Sequence, residues 1–542
     1  MRCGCEAGEK LDVSQRTTSK RVKLEDTRLL EATGPLLIDE NSVKEEELEM
    51  RRRTKLVTLL SILAALTLLL VACGGEQAQP TEAPPPEPTE EPAQEPAEEP
   101  TEEPAEEPTD EPVEEPTEEP TEEPAEEPAE EPAAETAALS CEEPIEIGLI
   151  TDLTGPLAIY GTTMERSFLL GLEYATGVAA EEVEEHQEYA YNLDDCQITV
   201  LVRDDQGSAE TTATLARELI DVSEIDLLVG TVSSGGTATL QEIAAESETV
   251  LIVAPAAAND ITGINFNEYT FRTSRENYQD FINLCQYLTT QYDTFVQIAP
   301  DYSFGYGGAQ SARDACTYFG GEFVADDIFA PLETTEFTPY MEQIQNSGAD
   351  AWIVTWAGAG FVPMFQTAAE LGVLDEMGLG ASFFDNQTMV AVFSSVADQM
   401  IGQTSGILYH YTSPDNEIND WLTEQLLERY GTPPDLFDAD GMNAGIMAVE
   451  AFQEAGAGAS SQDLIAVMEG MEFEGPKGAI YIRPEDHVAI QDMYIVTLTN
   501  LDDPQFDIFE TVETTRPEPP CLLPEELQDR CGDLPIGSLS GE

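Results

Sequence analysis

Basic residues are scarce in this 542-residue chain: 23 Lys+Arg stand against 107 Asp+Glu, a formal net charge of -84. Twelve of the 23 precede residue 56, so eleven remain beyond it, and Lys477 is the one lysine among them. Nucleic-acid binding needs Lys and Arg to displace phosphate counterions, so this shortage excludes it. It also excludes a patch that grips anionic lipid. Histidine is equally scarce. His186, His410 and His487 stand apart, and none pairs with a Cys or carboxylate at metal-ligand spacing. There is no Gly-x-Ser-x-Gly elbow and no P-loop. Asp204-Asp205 reads as a strand-end turn rather than a catalytic pair. Without a nucleophile–base constellation an enzyme is not expected, nor a cofactor or a metal. The apolar run Leu56–Val71 spans 16 residues, short of the roughly 20 that cross a bilayer. Yet 41% hydrophobic residues and three Trp are too many for a fully disordered chain.

The acidity has two unlike sources. Residues 74–138 hold 25 acidic residues and no basic ones, and from Pro88 to Pro132 a proline recurs every four residues, mostly as Glu-Glu-Pro. Proline fixes φ and removes a donor, so neither helix nor sheet is expected. The repeated carboxylates repel and extend the chain. This tract reads as a disordered, solvated Pro/Glu-rich tether. Residues 141–542 hold 70 acidic and 11 basic residues, 70 − 11 giving a net of -59. Such a field slows anionic ligands and favours cationic or zwitterionic ones. It also suits high salt or low external pH, without choosing between them.

Met50-Arg-Arg-Arg-Thr-Lys55, the apolar run and the small residues after it are the parts of a secretory signal. Leu70-Val71-Ala72-Cys73 resembles a bacterial lipobox. The resemblance implies cleavage before Cys73 and lipidation of that cysteine, with two or three acyl chains giving stable anchoring. The alternative is an uncleaved membrane helix. Residues 1–49 read as an over-extended start, Met50 being the true initiator.

From about Ile145 short apolar strands alternate with helices: strands at 145–150, 198–202, 225–230 and 249–253, helices at 159–176, 208–222 and 237–247. After Phe271-Arg-Thr-Ser274 the pattern restarts. Helices are expected at 277–291, 306–319, 338–346 and 362–371, and strands at 295–299, 322–329, 351–355 and 378–383. Such alternation means βαβ units and parallel sheets. The body is too long for one core. The expected fold is therefore α/β, with two doubly wound parallel-sheet lobes and a ligand cleft between them.

Several segments then resemble the type I periplasmic-binding-protein family, in its Leu/Ile/Val-binding branch. They are Gly148-Leu-Ile-Thr-Asp-Leu-Thr-Gly-Pro156 with Tyr160-Gly161, Arg203-Asp-Asp-Gln206, Gly230-Thr-Val-Ser-Ser234 and Phe271-Arg-Thr-Ser274. Asp301-Tyr-Ser-Phe-Gly-Tyr-Gly307, Ser347-Gly-Ala-Asp350, Pro484-Glu-Asp-His487 and Met493-Tyr-Ile-Val496 complete the set, over roughly 145–500. The resemblance implies an ABC-importer binding protein that performs no chemistry. It would bind an amino-acid-like ligand, a branched-chain amino acid or relative, and dock on membrane permease subunits as a monomer. Three chain crossings near 270, 405 and 480 would join lobe 1 (141–270 plus 405–480) to lobe 2 (271–404 plus 481–512). Before them come the signal (50–72) and the linker (73–140); after them comes a Pro/Cys tail (513–542).

Ser233-Ser234-Gly-Gly-Thr237 lies between a buried strand and a helix start, where unpaired N–H groups suit a carboxylate. Plain N-capping is the alternative. The resemblance implies that Ser234 holds an α-carboxylate. It puts Ala256 and Ala258 on the next loop, where backbone groups contribute; Ala258 stands where the family often has threonine. It also implies that Tyr160 and Phe304 line the cleft, that Asp385 meets an α-amino group, and that Trp356 is a further candidate. Phe304 and Ala258 remove two hydroxyls, which tilts the ligand toward an apolar one. A sensor of the same fold, signalling to a membrane receptor, is the rival reading.

Six cysteines follow Cys73, and six allow 15 connectivities. Cys141 and Cys196 precede strands that neighbour each other in this topology. Cys285 and Cys316 lie on consecutive helices, and Cys521 and Cys531 close a short loop. Those three pairs are the expected disulfides.

Overall fold

The computed structural model describes residues 139–541, leaving aside Ala359 and Phe383. The signal, Cys73 and the tether lie outside the described residues. Among the described residues no helix is long and apolar enough to cross a membrane.

Lobe 1 begins with β1 (Ile145–Thr151), α1 (Ala158–Thr176), β2 (Glu181–Glu184), β3 (Glu188–Asn192), β4 (Gln197–Asp204) and α2 (Ala209–Asp221). It continues with β5 (Leu227–Gly230), α3 (Ser234–Ser247), β6 (Val250–Val253) and β7 (Thr270–Arg272). The strands form a seven-stranded sheet in the order β2-β3-β4-β1-β5-β6-β7. From β4 to β7 it is parallel; β2 and β3 are antiparallel at the edge. The central strands β5 and β6 are buried at every residue, which is why they read as short apolar runs. The β2–β3 hairpin escapes that reading, since Glu181-Glu-Val-Glu184 is fully exposed.

Lobe 2 takes over with α4 (Asn277–Leu288), β8 (Thr294–Pro300), α5 (Ser303–Tyr318), β9 (Glu322–Phe323), β10 (Ile328–Ala330), α6 (Thr338–Asn346) and β11 (Ala351–Val354). Then come α7 (Phe361–Glu370), α8 (Val373–Glu376), β12 (Gly378–Ala381), α9 (Asn386–Phe393), α10 (Ala397–Met400) and β13 (Thr404–Ile407). Its parallel sheet runs β10-β8-β11-β12, with β9 beside β8. The single strand expected at 322–329 is two short ones, because Val324–Asp327 leaves the ladder.

The chain returns to lobe 1 as α11 (Glu417–Tyr430), α12 (Asp438–Ala455), α13 (Ser461–Met468), β14 (Glu472–Gly475), β15 (Gly478–Ile482) and β16 (Ala489–Ile490). It ends in β17 (Met493–Leu498) and β18 (Phe509–Thr515); β17 lies between β13 and β18 and pairs antiparallel with both. Helix α11 starts on Asn416, whose side chain accepts from the N–H groups of Ile418 and Asn419, and stops at Gly431 with φ 72°. Helices α1 and α12 press together where both are glycine. A Cβ on Gly171 would lie 2.3 Å from the Met442 carbonyl oxygen, and one on Gly445 would lie 2.5 Å from that of Phe168.

Side-chain packing describes the segments beside the three expected crossings. β7 ends at Arg272 and α4 begins at Asn277, beside the first, expected near 270. Beside the second, expected near 405, Ile407, Leu408 and Tyr409 are buried in the cluster that also holds the lobe 2 strands. The third was expected near 480, but Ile480, Ile482 and Ala489 fill the lobe 1 core. In both places the side chains settle the lobe, and the strand pattern alone did not distinguish them.

The three expected disulfides form: Cys141–Cys196, Cys285–Cys316 and Cys521–Cys531. The tail after β18 lies against both lobes. The Arg530 guanidinium donates to Glu469 at 2.8 Å, and the Leu539 N–H donates to Asp314 on α5 at 2.8 Å.

Candidate functional site

The carboxyl ends of the lobe 1 strands converge on one cleft. At the end of β1 the buried Asp152 carboxylate accepts from the N–H groups of Gly155 (2.5 Å) and Leu157 (2.9 Å). This folds the loop back and launches α1 with Leu157 and Tyr160 toward the cleft. Gly161 is required here, since a Cβ would sit 1.7 Å from the Asp152 carbonyl oxygen. At the end of β4 the buried Asp205 carboxylate accepts from Thr231 (2.7 Å), Thr212 (3.0 Å) and the Gly207 N–H (2.9 Å). It thereby ties the β5–α3 loop in place. Asp152, Asp204 and Asp205 lie close enough to suggest a cation site. Each, however, is already engaged by backbone N–H or hydroxyl donors.

Ser233 is the N-cap of α3 and accepts from the Gly236 N–H. Ser234 is the first helical residue; its Oγ accepts from the Ala258 N–H at 3.3 Å, which leaves the hydroxyl proton to donate elsewhere. The loop Ala254–Asn259 follows β6. Its carbonyls at Ala256 and Ala258 accept from the buried Arg272 guanidinium, the arginine of the Phe271-Arg-Thr-Ser274 segment. Arg272 therefore braces the loop from behind.

The cleft encloses about 330 Å³ of space unoccupied by atoms, part of it open to solvent. Its lining includes Tyr160, Ser234, Ala256 and Phe304 from the sequence expectation. It also includes Arg275, Tyr302 and Phe437, which that expectation missed, besides Leu157, Val232, Pro255, Ala257 and Ala357. Tyr160 stands edge-on to Phe437 at 5.1 Å, and its hydroxyl accepts from the Gly358 N–H of lobe 2 at 3.2 Å. Burial, and then the Asp385 carboxylate, push the Tyr160 phenol far above its ordinary pKa, so it stays neutral. Arg275 is 1% exposed. Its Nε donates to Asp280 at 3.3 Å, its Nη1 to the Pro255 carbonyl at 2.7 Å, and its guanidinium lies 5.2 Å from the Phe437 ring centre. A signal for it existed: it follows the Phe271–Ser274 segment directly, in a body with eleven cations. Phe437 had no local signal, since its role depends on α12 being folded back against α1.

The remaining candidates lie off the lining. Ser233 caps, and both backbone groups of Ala258 are engaged as described. Trp356 is fully buried beneath Ala357, edge-on to Phe337 at 5.3 Å. Asp385 is the N-cap of α9, accepts from the Thr388 N–H at 2.9 Å, and has its pKa raised by burial.

Three comparisons agree with this geometry. The periplasmic binding protein family model matches residues 144–503. The Leu/Ile/Val-binding protein homolog 6 of Brucella melitensis biotype 1 is 23% identical over 364 residues, covering 66% of this chain and 88% of that protein. A solved ABC-type branched-chain amino acid transporter protein from Rhodopseudomonas palustris CGA009 is 31% identical, with a TM-score of 0.57, over 69% of this chain and 96% of that one. The solute-binding protein of Rhodopseudomonas palustris BisB5, solved with 3,4-dihydroxybenzoic acid, shares the fold at 22% identity and a TM-score of 0.60, over 69% and 97% of the chains. These relatives bind substrates for ABC transporters and are not enzymes. Two parallel-sheet lobes, a cleft at their strand ends and a family match across both lobes lead to one conclusion: the chain belongs to the periplasmic binding protein family, as a solute-binding protein of the ABC-transporter type.

Proposed function

We propose that this protein captures a small carboxylate with an apolar body, such as a branched-chain amino acid or a relative, and delivers it as a monomer to the permease of an ABC importer. The observation that carries this reading is the composition of the cleft. The amino end of α3 and the Ser234 hydroxyl face one side, the buried Arg275 borders it, and apolar and aromatic side chains make the rest. A helix amino terminus and a guanidinium both favour a carboxylate.

A second reading, an aromatic acid without an amine, is supported by the lining itself. It contains the rings of Tyr160, Tyr302, Phe304 and Phe437 and no carboxylate side chain. Rings of this kind pack against a flat ligand. Isothermal titration of the exported chain with leucine, isoleucine and valine, and separately with benzoate and 4-hydroxybenzoate, distinguishes the two. Binding by the first group supports the amino-acid reading, and binding by the second alone supports the aromatic one. Silence from both groups sinks the carboxylate assignment. Anchoring through a lipidated Cys73 is supported by Leu70-Val71-Ala72-Cys73. A membrane-fraction protein whose amino-terminal peptide lacks added acyl mass would refute it.

A further inference from the structure

Outside the covalent crossings, the amino end of a lobe 2 helix meets a carboxylate of lobe 1. Asp435 belongs to lobe 1, between α11 and α12; Asp385 and Asn386 open α9 of lobe 2. The Asn386 N–H donates to Asp435 Oδ1 at 2.9 Å, and its Nδ2 donates to the Pro434 carbonyl at 3.0 Å. The Leu436 N–H adds a third bond, to Asp435 Oδ1 at 2.8 Å. The amino terminus of a lobe 2 helix therefore grips an aspartate of lobe 1, and that helix already carries its own aspartate as cap.

The surroundings do not neutralise this pair. From α12, Asp438 faces it, and the Asp435 N–H donates to Asp438 Oδ2 at 2.6 Å. From α1, Arg166 faces it, but Asp438 holds both arms of that guanidinium. Tyr160 of α1 and Tyr409 before α11 also feel these charges, as neutral phenols. Three carboxylates thus share one cation, and Asp385 and Asp435 are left with hydrogen bonds alone. Burial and the Asp385 charge push the Asp435 carboxyl up to about 7, and burial raises Asp385 as well. A second pocket is lined by Arg166, Asn386 and Asp435 among others.

We propose that Asp435 is a latch through which lobe closure takes up one proton, so that capture is favoured in acid. With the lobes apart, both aspartates are hydrated and ionised. Closing them brings two charges together out of water, and the pair keeps one proton to relieve the repulsion. The sign follows from linkage. The closed form binds more protons, so its advantage is full below the ordinary carboxylate range and is lost as pH rises through about 7. One proton sets an upper limit of tenfold in the closed-to-open ratio per pH unit.

The test needs no ligand, which separates it from the carboxylate assignment. Spin labels on encoded amino acids at the exposed positions Glu428 of α11 and Ala391 of α9 report the separation of the lobes in the full exported chain. The short-distance fraction should rise as pH falls from about 8 to about 5. Asp435→Asn, which can still accept from Asn386, should close at every pH and lose that dependence; Asp385→Asn should do the same. A distance distribution that ignores pH in the wild type overturns the proposal, as does a pH response kept in both variants. Circular dichroism of each variant confirms the fold, and if one variant unfolds the other decides.

Discussion

The cleft wall and the hinge lie side by side but differ in what they keep from water. Along the wall, Leu157, Tyr160, Val232, Phe304 and Phe437 surround the Ser234 hydroxyl at the end of α3. At the hinge, Arg272, Arg275, Glu276, Asp280, Asp440, Lys477, Arg483 and Asp486 are all buried. Four of the body's eleven cations are in that second group, so a chain starved of positive charge concentrates it where the lobes join. Buried ions hold their place only if paired, and pairing fixes geometry. The wall therefore sets what is bound, while the hinge sets how the two walls are carried. Arg275 belongs to both, since it borders the cleft and pairs with Asp280 behind it.

The contrast is broken most directly at Arg272. Arg272→Met leaves the Ala256 and Ala258 carbonyls and Glu276 without their cation, and removing one partner of such a buried set costs about 3–5 kcal/mol. Calorimetry should show a large fall in Tm together with loss of ligand binding. If the fold survives unchanged, the hinge charges do not carry the structure.

Opening the tail disulfide is next. Cys521→Ser with Cys531→Ser frees a loop of sequence separation 10, for which the chain-entropy account gives about 3 kcal/mol. The tail is held by Arg483 donating to the Pro519 carbonyl at 2.9 Å and by Arg530. Limited proteolysis should therefore cut the tail first. Equal resistance of the double variant would show that those hydrogen bonds suffice.

Acid titration sharpens the comparison further. Burial is the main reason that the Glu276 carboxyl is pushed up to about 7. Its contribution to stability is present in full below the ordinary carboxylate range and is lost as pH rises through about 7. Glu276→Gln should flatten the Tm-against-pH curve over that window, whereas Ser234→Ala should leave its slope alone. A slope that survives Glu276→Gln would move the titration to another group.

The smallest effect belongs to the wall. Ser234→Ala removes one hydroxyl and should weaken carboxylate binding by about 1 kcal/mol, with the Tm of the ligand-free protein nearly unchanged. Ser234→Leu should abolish binding in the same titration. Retained affinity in the leucine variant would place the ligand elsewhere.

Much of the fold was legible because parallel strands covered on both faces must be apolar throughout. Ile145–Thr151 and Val250–Val253 declare themselves in this way. The antiparallel pieces were not legible. Glu181–Glu184 carries no apolar signal, and β13 pairs with β17 across some ninety residues of chain, 497 − 404 being 93. Within the site, Tyr160, Ser234, Ala256 and Phe304 were reachable because they stand in motifs that keep their spacing. Tyr302 stands in the Asp301–Gly307 segment, but nothing local separates it from a core aromatic. Asp385 and Asp435 acquire their relation from two elements that are distant in the chain and adjacent only in the fold.

The sequence by itself determined where the charge lies, that the body is two α/β lobes, that six cysteines form three pairs, and that a donor-rich loop ends the third strand of the parallel core. These follow from local chemistry: proline blocks hydrogen bonding, apolar runs must be covered, and glycine with serine opens a helix end. The tertiary structure alone decided that Arg275 borders the cleft while Arg272 supports it from behind, that Phe437 completes the wall, and that an aspartate of one lobe is held by a helix of the other. Those outcomes depend on burial and on partners remote in the chain, which no local pattern of residues encodes.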